Sequence, residues 1–177
     1  MGVLGQEGAH VVQIVDEDEI LANQKSMFEP EEGGIHPRKA SEHHYSSAIE
    51  QLRNALSEAS LEIKDIDAIA FSQGPGIPYC LEIGSVMART LSEKYDIKLI
   101  GVNHCLAHIS IGTRTTEAED PTTLYVSGGN SQIIEFRNGR YRIIGETLDI
   151  ALGNALDKFA RKLGYPHPGG PEIEKLA

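Results

Sequence analysis

At 177 residues, with 40% hydrophobic and 24% charged residues, the chain is neither disordered nor fibrous and can bury the core of one ordinary domain or two very small ones. Its formal charge of −10 counts against a protein that grips nucleic acid alone, because neutralising phosphates needs clustered Lys and Arg; RNA would be held largely by partners. No signal-peptide pattern is present, no apolar run approaches the roughly 20 residues that span a bilayer, and the two cysteines, Cys80 and Cys105, suit free thiols in a reducing compartment. The expected location is the cytoplasm, with no membrane partner.

In chain order, three short strands are predicted at residues 2–6, 10–15 and 20–25, the last two joined by the solvated acidic turn Asp16-Glu17-Asp18-Glu19. After the turn-prone Gly33-Gly34-Ile35-His36-Pro37, a helical pattern runs over 38–58, with Pro37 near its start. A buried-type strand at 66–71 ends in the breaker cluster Ser72-Gln73-Gly74-Pro75-Gly76, predicted as a loop. A helix at 80–95, a strand at 98–102 and a helix at 104–111 follow. From Thr122 the order restarts: strands at 123–127, 132–136 and 140–146, joined by Gly-Gly-Asn and Asn-Gly turns, then a helix at 150–163. The repeat implies two related α/β halves, 1–120 and 121–177, the second ending at Ala177 just after its first helix. The expectation is therefore a fragment, a truncated product or a piece of a longer polypeptide.

Two segments carry chemistry. In Asn103-His104-Cys105-Leu106-Ala107-His108 the two imidazoles are four positions apart on one helix face, able to share a zinc or iron ion but needing a third ligand, for which Tyr125 is the nearest candidate. The bland alternative makes one histidine a core residue and the other a surface one. Cys105 is read as a small buried hydrophobe. A zinc peptidase would require Glu directly after the first His, where this chain has Cys105. The second segment, Ser127-Gly128-Gly129-Asn130, is a hairpin turn that can present backbone N–H groups and a hydroxyl to an anion. Asp157 on the next helix, the Pro168-Gly169-Gly170-Pro171-Glu172 loop and Glu174 would bring carboxylates and bare backbone to a nucleoside. The Gly5-to-His10 hairpin corresponds to the Ser127 hairpin, and the two would clamp a nucleotide's phosphates, as suits a nucleotide-dependent transferase. His36 is a candidate cleft residue, and His43 and His44 are read as surface residues.

The combination resembles the archaeal and eukaryotic branch of the TsaD-like family, long called O-sialoglycoprotein endopeptidases. The motifs that carry the resemblance are Gly33 to Pro37 with Glu42-His43-His44, Phe71 to Gly76, Gly101 to His108, Leu124 to Asn130, Gly145 to Ile150 with Gly153 to Ala160, and His167 to Ala177. The resemblance implies an actin-like, sugar-kinase-like (ASKHA) α/β fold, with a first RNase H-like half complete and a second one truncated. It implies transfer of a threonylcarbamoyl group from threonylcarbamoyl-adenylate to the adenosine beside the anticodon in tRNAs that read codons beginning with A. His104, His108 and Tyr125 match the family's ligands to one divalent metal, iron or zinc. Tyr125, Val126, Ser127, Gly128, Gly129 and Asn130, with Asp157, Gly170 and Glu174, match its contacts to the substrate nucleotide. The implied partners are tRNA and the KEOPS complex, with its kinase-like ATPase subunit and small scaffold subunits.

Three departures bear on this. A further metal-binding aspartate and a nucleotide-contacting asparagine of the family fall beyond Ala177, so the fragment is expected to bind metal poorly and not to catalyse. The hairpin Glu7-Gly8-Ala9-His10 is shorter than the family's Glu-Gly-Thr-Ala-His pattern and lacks the threonine. Pro78 and Tyr79 stand where the family has Gly-Pro, and Glu82 replaces a basic residue. The alternative readings are a non-catalytic scaffold paralogue of the same complex and, on the old family name alone, a metallopeptidase.

Overall fold

The computed structural model of this chain describes residues 2–6, 9–17, 19–30 and 35–177, so Glu7, Gly8, Asp18 and residues 31–34 fall outside the described residues. The fold is mixed α/β. Packing separates two compact units, one reaching His104 and the other beginning at Cys105. The repeat of element order divides the chain at 120/121 instead, a different criterion: it follows topology, whereas the packing boundary follows which side chains share a core.

The first unit is a five-stranded sheet built from β1 (Gly2–Gln6), β2 (Ala9–Asp16), β3 (Glu19–Met27), β4 (Ala68–Gly74) and β5 (Lys98–Asn103), in the order β3-β2-β1-β4-β5. The first three strands pair antiparallel as successive hairpins, while β4 lies parallel to both β1 and β5. Parallel neighbours require crossover connections, supplied by α1 (Pro37–Ala59) and α2 (Pro78–Tyr95), each opened by a proline in its first turn. Tyr79 and Glu82 on α2 are exposed. The strand at β4 continues through Ser72 and Gln73 to Gly74, where the sequence suggested a loop; a register shift between Ser72 and Gly74 lets Gly74 still pair with Asn103.

Periodicity explains the core. On β2 every second residue, His10, Val12 and Ile14, is buried, and on α1 the buried set Ala40, His44, Ser47, Ala48, Gln51, Leu52 and Ala55 repeats at helical spacing. Val12 and Ile14 join Ala22, Leu52, Ala55, Ile66, Ile69, Phe71, Ala88 and Ile97 in one apolar cluster. At the end of α1 nearer its start the same interface turns polar. His44 Nδ1 donates to the Ala40 carbonyl at 2.7 Å, and His43 Nε2 lies 2.9 Å from Ser26 Oγ on β3. His43 and His44, read from sequence as surface residues, are therefore part of the interior layer, half-buried and buried respectively.

His10 completes this layer. It pairs in register with Gly5 on β1 and Ser26 on β3, and its ring stands nearly perpendicular to that of His44 with centroids 5.6 Å apart. It is wholly buried, and among the described residues neither ring nitrogen has a hydrogen-bond partner. Burial first, then the neighbouring His44 and His43, push its pKa down from 6.5 to about 4.

The second unit holds α3 (His104–Thr115) from Cys105 onward, a three-stranded antiparallel sheet of β6 (Thr123–Val126), β7 (Ser131–Arg137) and β8 (Arg140–Glu146) in that order, and helices α4 (Leu152–Lys162) and α5 (Gly170–Glu174). Its small core joins Cys105 and Ile109 to Tyr125 and Ile134. Cys80 and Cys105 are both buried and not joined in a disulfide, and Cys105 packs as the small hydrophobe expected. Leu124, Val126 and Ile133 remain exposed. Among the described residues no helix is long and apolar enough to cross a membrane.

The depressed His10 pKa sets a sign for acid stability. Below pH 6.5 the unfolded chain takes a proton that the folded imidazole refuses until about pH 4, so the stabilising contribution is complete above 6.5 and is lost on descending to 4. The full span corresponds to about 3 kcal/mol. Urea denaturation of the wild type and of His10→Leu across this range should show a steeper loss for the wild type; parallel curves would refute the assignment.

Candidate functional site

Helix α4 organises the second unit's candidate residues along one face. Gly153, Asp157 and Ala160 follow at i, i+4 and i+7, so they lie in one stripe. At the first position, a side chain on Gly153 would put its Cβ 2.7 Å from the Ser127 carbonyl oxygen and 2.9 Å from the Gly128 backbone. Only a residue without Cβ lets the β6–β7 hairpin reach the helix. The contact is also a cap: Gly153 N–H donates to the Ser127 carbonyl at 3.2 Å, and Leu152 N–H donates to Ser131 Oγ at 2.8 Å. Two of the helix's otherwise unpaired N–H groups are thereby satisfied by the hairpin.

Within the turn, Ser127 N–H donates to the Asn130 carbonyl at 2.7 Å and Asn130 N–H donates to Ser127 Oγ at 3.0 Å. The expected run of ligand-facing N–H groups is thus narrowed to those of Gly128 and Gly129, with the Ser127 hydroxyl proton left to donate. Tyr125 and Val126 lead into the turn on β6; Tyr125 is buried and Val126 exposed.

At the second position of the stripe, Asp157 is engaged on both oxygens. Oδ1 accepts the Gly169 N–H at 2.7 Å and Oδ2 lies 3.1 Å from His167 Nδ1. At the third, Ala160 abuts Gly169, where an added Cβ would collide with the Ala160 methyl. The loop after α4 is so pressed onto the stripe, and it delivers Gly170 to the first position of α5 and Glu174 to the last. The sequence reads 168–172 as a loop; from Gly170 it is helical, Pro171 being well placed in a first turn. His167 opens one of the motifs that carry the resemblance but had no role assigned to it in the sequence, because its partner lies on the preceding helix.

For the expected metal ligands, α3 holds both His104 and His108, one turn apart, and the His108 and Tyr125 rings approach to 5.7 Å between centroids. Two imidazoles and a phenol form an N,N,O donor set that suits iron or zinc. Among the described residues no three His, Cys, Asp or Glu side chains converge as a metal site. On α4, Lys158, Arg161 and Lys162 line a hollow of about 310 Å³.

Comparison with known proteins decides the family. The family described as TsaD, tRNA N6-adenosine threonylcarbamoyltransferase, matches residues 17–177. The chain belongs to the TsaD family. A relative from Methanosarcina acetivorans, named a probable bifunctional tRNA threonylcarbamoyladenosine biosynthesis protein, is 55% identical over 99% of this chain and 33% of its own length. TsaD relatives from Methanococcoides burtonii and Thermococcus sibiricus, both named tRNA N6-adenosine threonylcarbamoyltransferase, are 51% identical over 99% and 100% of this chain and 54% and 55% of theirs. The chain spans about a third to about half the length of these relatives. Among solved structures, YeaZ from Pseudomonas aeruginosa is similar at a TM-score of 0.56 and 19% identity, covering 82% of this chain and 64% of that one. With the family match, this likeness gives the TsaD chain its actin-like (ASKHA-type) α/β fold.

The Gly153 contact yields a direct test. Gly153→Ala should destabilise the chain by about 1–3 kcal/mol, because the added methyl meets backbone and not a movable side chain. Thermal unfolding should show a lower Tm; an unchanged or raised Tm would mean that the hairpin does not lie on α4.

Proposed function

We propose that this chain is part of a tRNA threonylcarbamoyltransferase, with threonylcarbamoyl-adenylate and tRNA as substrates. The observation that carries the reading is the α4 stripe, which meets the Ser127–Gly128 turn at Gly153 and, through Asp157 and Ala160, the loop that opens α5 at Gly170. The names of relatives at 51–55% identity support the same activity. By topology, the five-stranded sheet with its crossovers corresponds to a first RNase H-like half at 1–120, and the β6-to-α4 run at 121–177 repeats the opening of that plan.

In the proposed reaction the exocyclic amine of adenosine attacks the carbamoyl carbonyl of the adenylate. A C–N bond forms, the C–O bond to phosphate breaks, and AMP leaves as the amine loses a proton. The Gly128 and Gly129 N–H groups and the Ser127 hydroxyl would hold the phosphate, whose negative charge grows as AMP departs. Glu174 and the Gly170 backbone would orient the nucleoside, lowering the entropic cost of attack. A divalent iron or zinc ion held by His104, His108 and Tyr125 would supply Lewis acidity.

RNA would approach through partners of the KEOPS type, a kinase-like ATPase and small scaffolds, as suits a chain of charge −10. Lys158, Arg161 and Lys162 form a local basic cluster on α4. The buried cysteines Cys80 and Cys105, not joined in a disulfide, suit a cytoplasmic setting. A scaffold role without catalysis is the second reading, favoured by the shortened Glu7-to-His10 hairpin.

Two measurements separate these readings. Extended to the full length of its relatives, loaded with Fe(II) or Zn(II) and desalted, the chain should retain metal that His104→Ala and His108→Ala lose; equal metal content in all three by elemental analysis would reject the ligand set. Added to KEOPS-type subunits lacking their catalytic member, with threonylcarbamoyl-adenylate and tRNA, a catalytic chain yields modified adenosine by mass spectrometry. A scaffold binds the subunits and yields none.

A further inference from the structure

We propose that His167 is a positioning residue of the nucleotide site: by donating its Nδ1–H to Asp157 it locks the loop that places Gly170 and Glu174. The inference rests on the nucleotide reading above and adds a residue that reading does not use. A carboxylate accepts only, so the 3.1 Å approach of His167 Nδ1 to Asp157 Oδ2 defines the imidazole as donor and fixes its tautomer when neutral. The pair is largely withdrawn from water, with side chains 23% and 17% exposed, and so differs from the solvated ion pairs of this chain such as Arg38–Glu42 at 82% and 65%.

The bond matters through what the other oxygen does. Asp157 Oδ1 takes the Gly169 N–H at 2.7 Å, and the Gly169 carbonyl in turn accepts the Ile173 N–H at 3.0 Å, the first-turn bond of α5. Anchoring Oδ2 stops the carboxylate from rotating, which fixes Oδ1, then Gly169, then the start of α5. Gly169 is buried against Ala160 and Asp157, so the loop has no second seat close by. Each oxygen retains a further lone pair, so Asp157 can hold the loop and still accept a ribose hydroxyl.

The relay predicts a local loosening without global unfolding. In His167→Ala, hydrogen exchange at the Gly169 and Ile173 amides should quicken by about tenfold while Tm stays close to wild type, as expected for one charge-assisted hydrogen bond. Calorimetric affinity for AMP should weaken by a similar factor. His167→Asn, whose amide Nδ2 can donate in place of Nδ1–H, should restore both. Unchanged exchange in His167→Ala, or failure of His167→Asn to restore it, overturns the relay. If exchange responds as expected but the wild-type chain binds no AMP, the nucleotide reading fails, and the ligand role of His167 with it. AMP binding that is equal in all three proteins overturns the positioning role while leaving the nucleotide reading intact.

Discussion

Helix α4 lies against the β6–β7 hairpin at a distance that leaves no room for a Cβ at residue 153, and the candidate site depends on that approach. With the hairpin seated, the Ser127 carbonyl and the Ser131 hydroxyl satisfy two N–H groups at the start of α4. The next turn of the same face presents Asp157, and the turn after it presents Ala160 to the returning loop. Residues from the hairpin, the helix and α5 are then held by one rigid element. The cost is sequence freedom at 153 and 169, where any side chain would separate backbones now in van der Waals contact.

The first unit is held differently. Its sheet mixes antiparallel hairpins with parallel crossovers, so α1 and α2 must cover it, and the apolar cluster around Ile69 and Phe71 supplies most of the favourable burial. Toward the start of α1 the interface changes to imidazoles and a hydroxyl. A buried histidine with neither nitrogen bonded is unfavourable. Burial and the neighbouring His44 and His43 disfavour a charge on His10 there.

Much of this was legible from the chain. Alternation in β2, helical spacing in α1 and the Gly-Gly-Asn and Asn-Gly turns fixed element types because each rests on local periodicity or turn chemistry. What stayed hidden depends on distant partners. Ser72 and Gln73 look like loop residues until β5 offers a strand to pair with, and His43 and His44 look like surface until β2 and β3 cover them. Asp157 was visible as a helix carboxylate. Its engagement by His167 and Gly169 was not, since those residues return from the far end of the helix with no regular spacing.

One face of the three-stranded sheet remains. Leu124 and Val126 point outward on β6, and Ile133 is opposite Leu124 on β7. Among the described residues β6 is the outer strand of this sheet, so apolar surface lies along its rim. Such a strand invites another chain to dock along it, and its colloidal behaviour is decided by what opposes that approach. With a net charge of −10, repulsion between copies supplies the opposition at low ionic strength, and added salt removes it. Association of copies along this strand would therefore be governed by surface carboxylates and by the ionic strength of the solution.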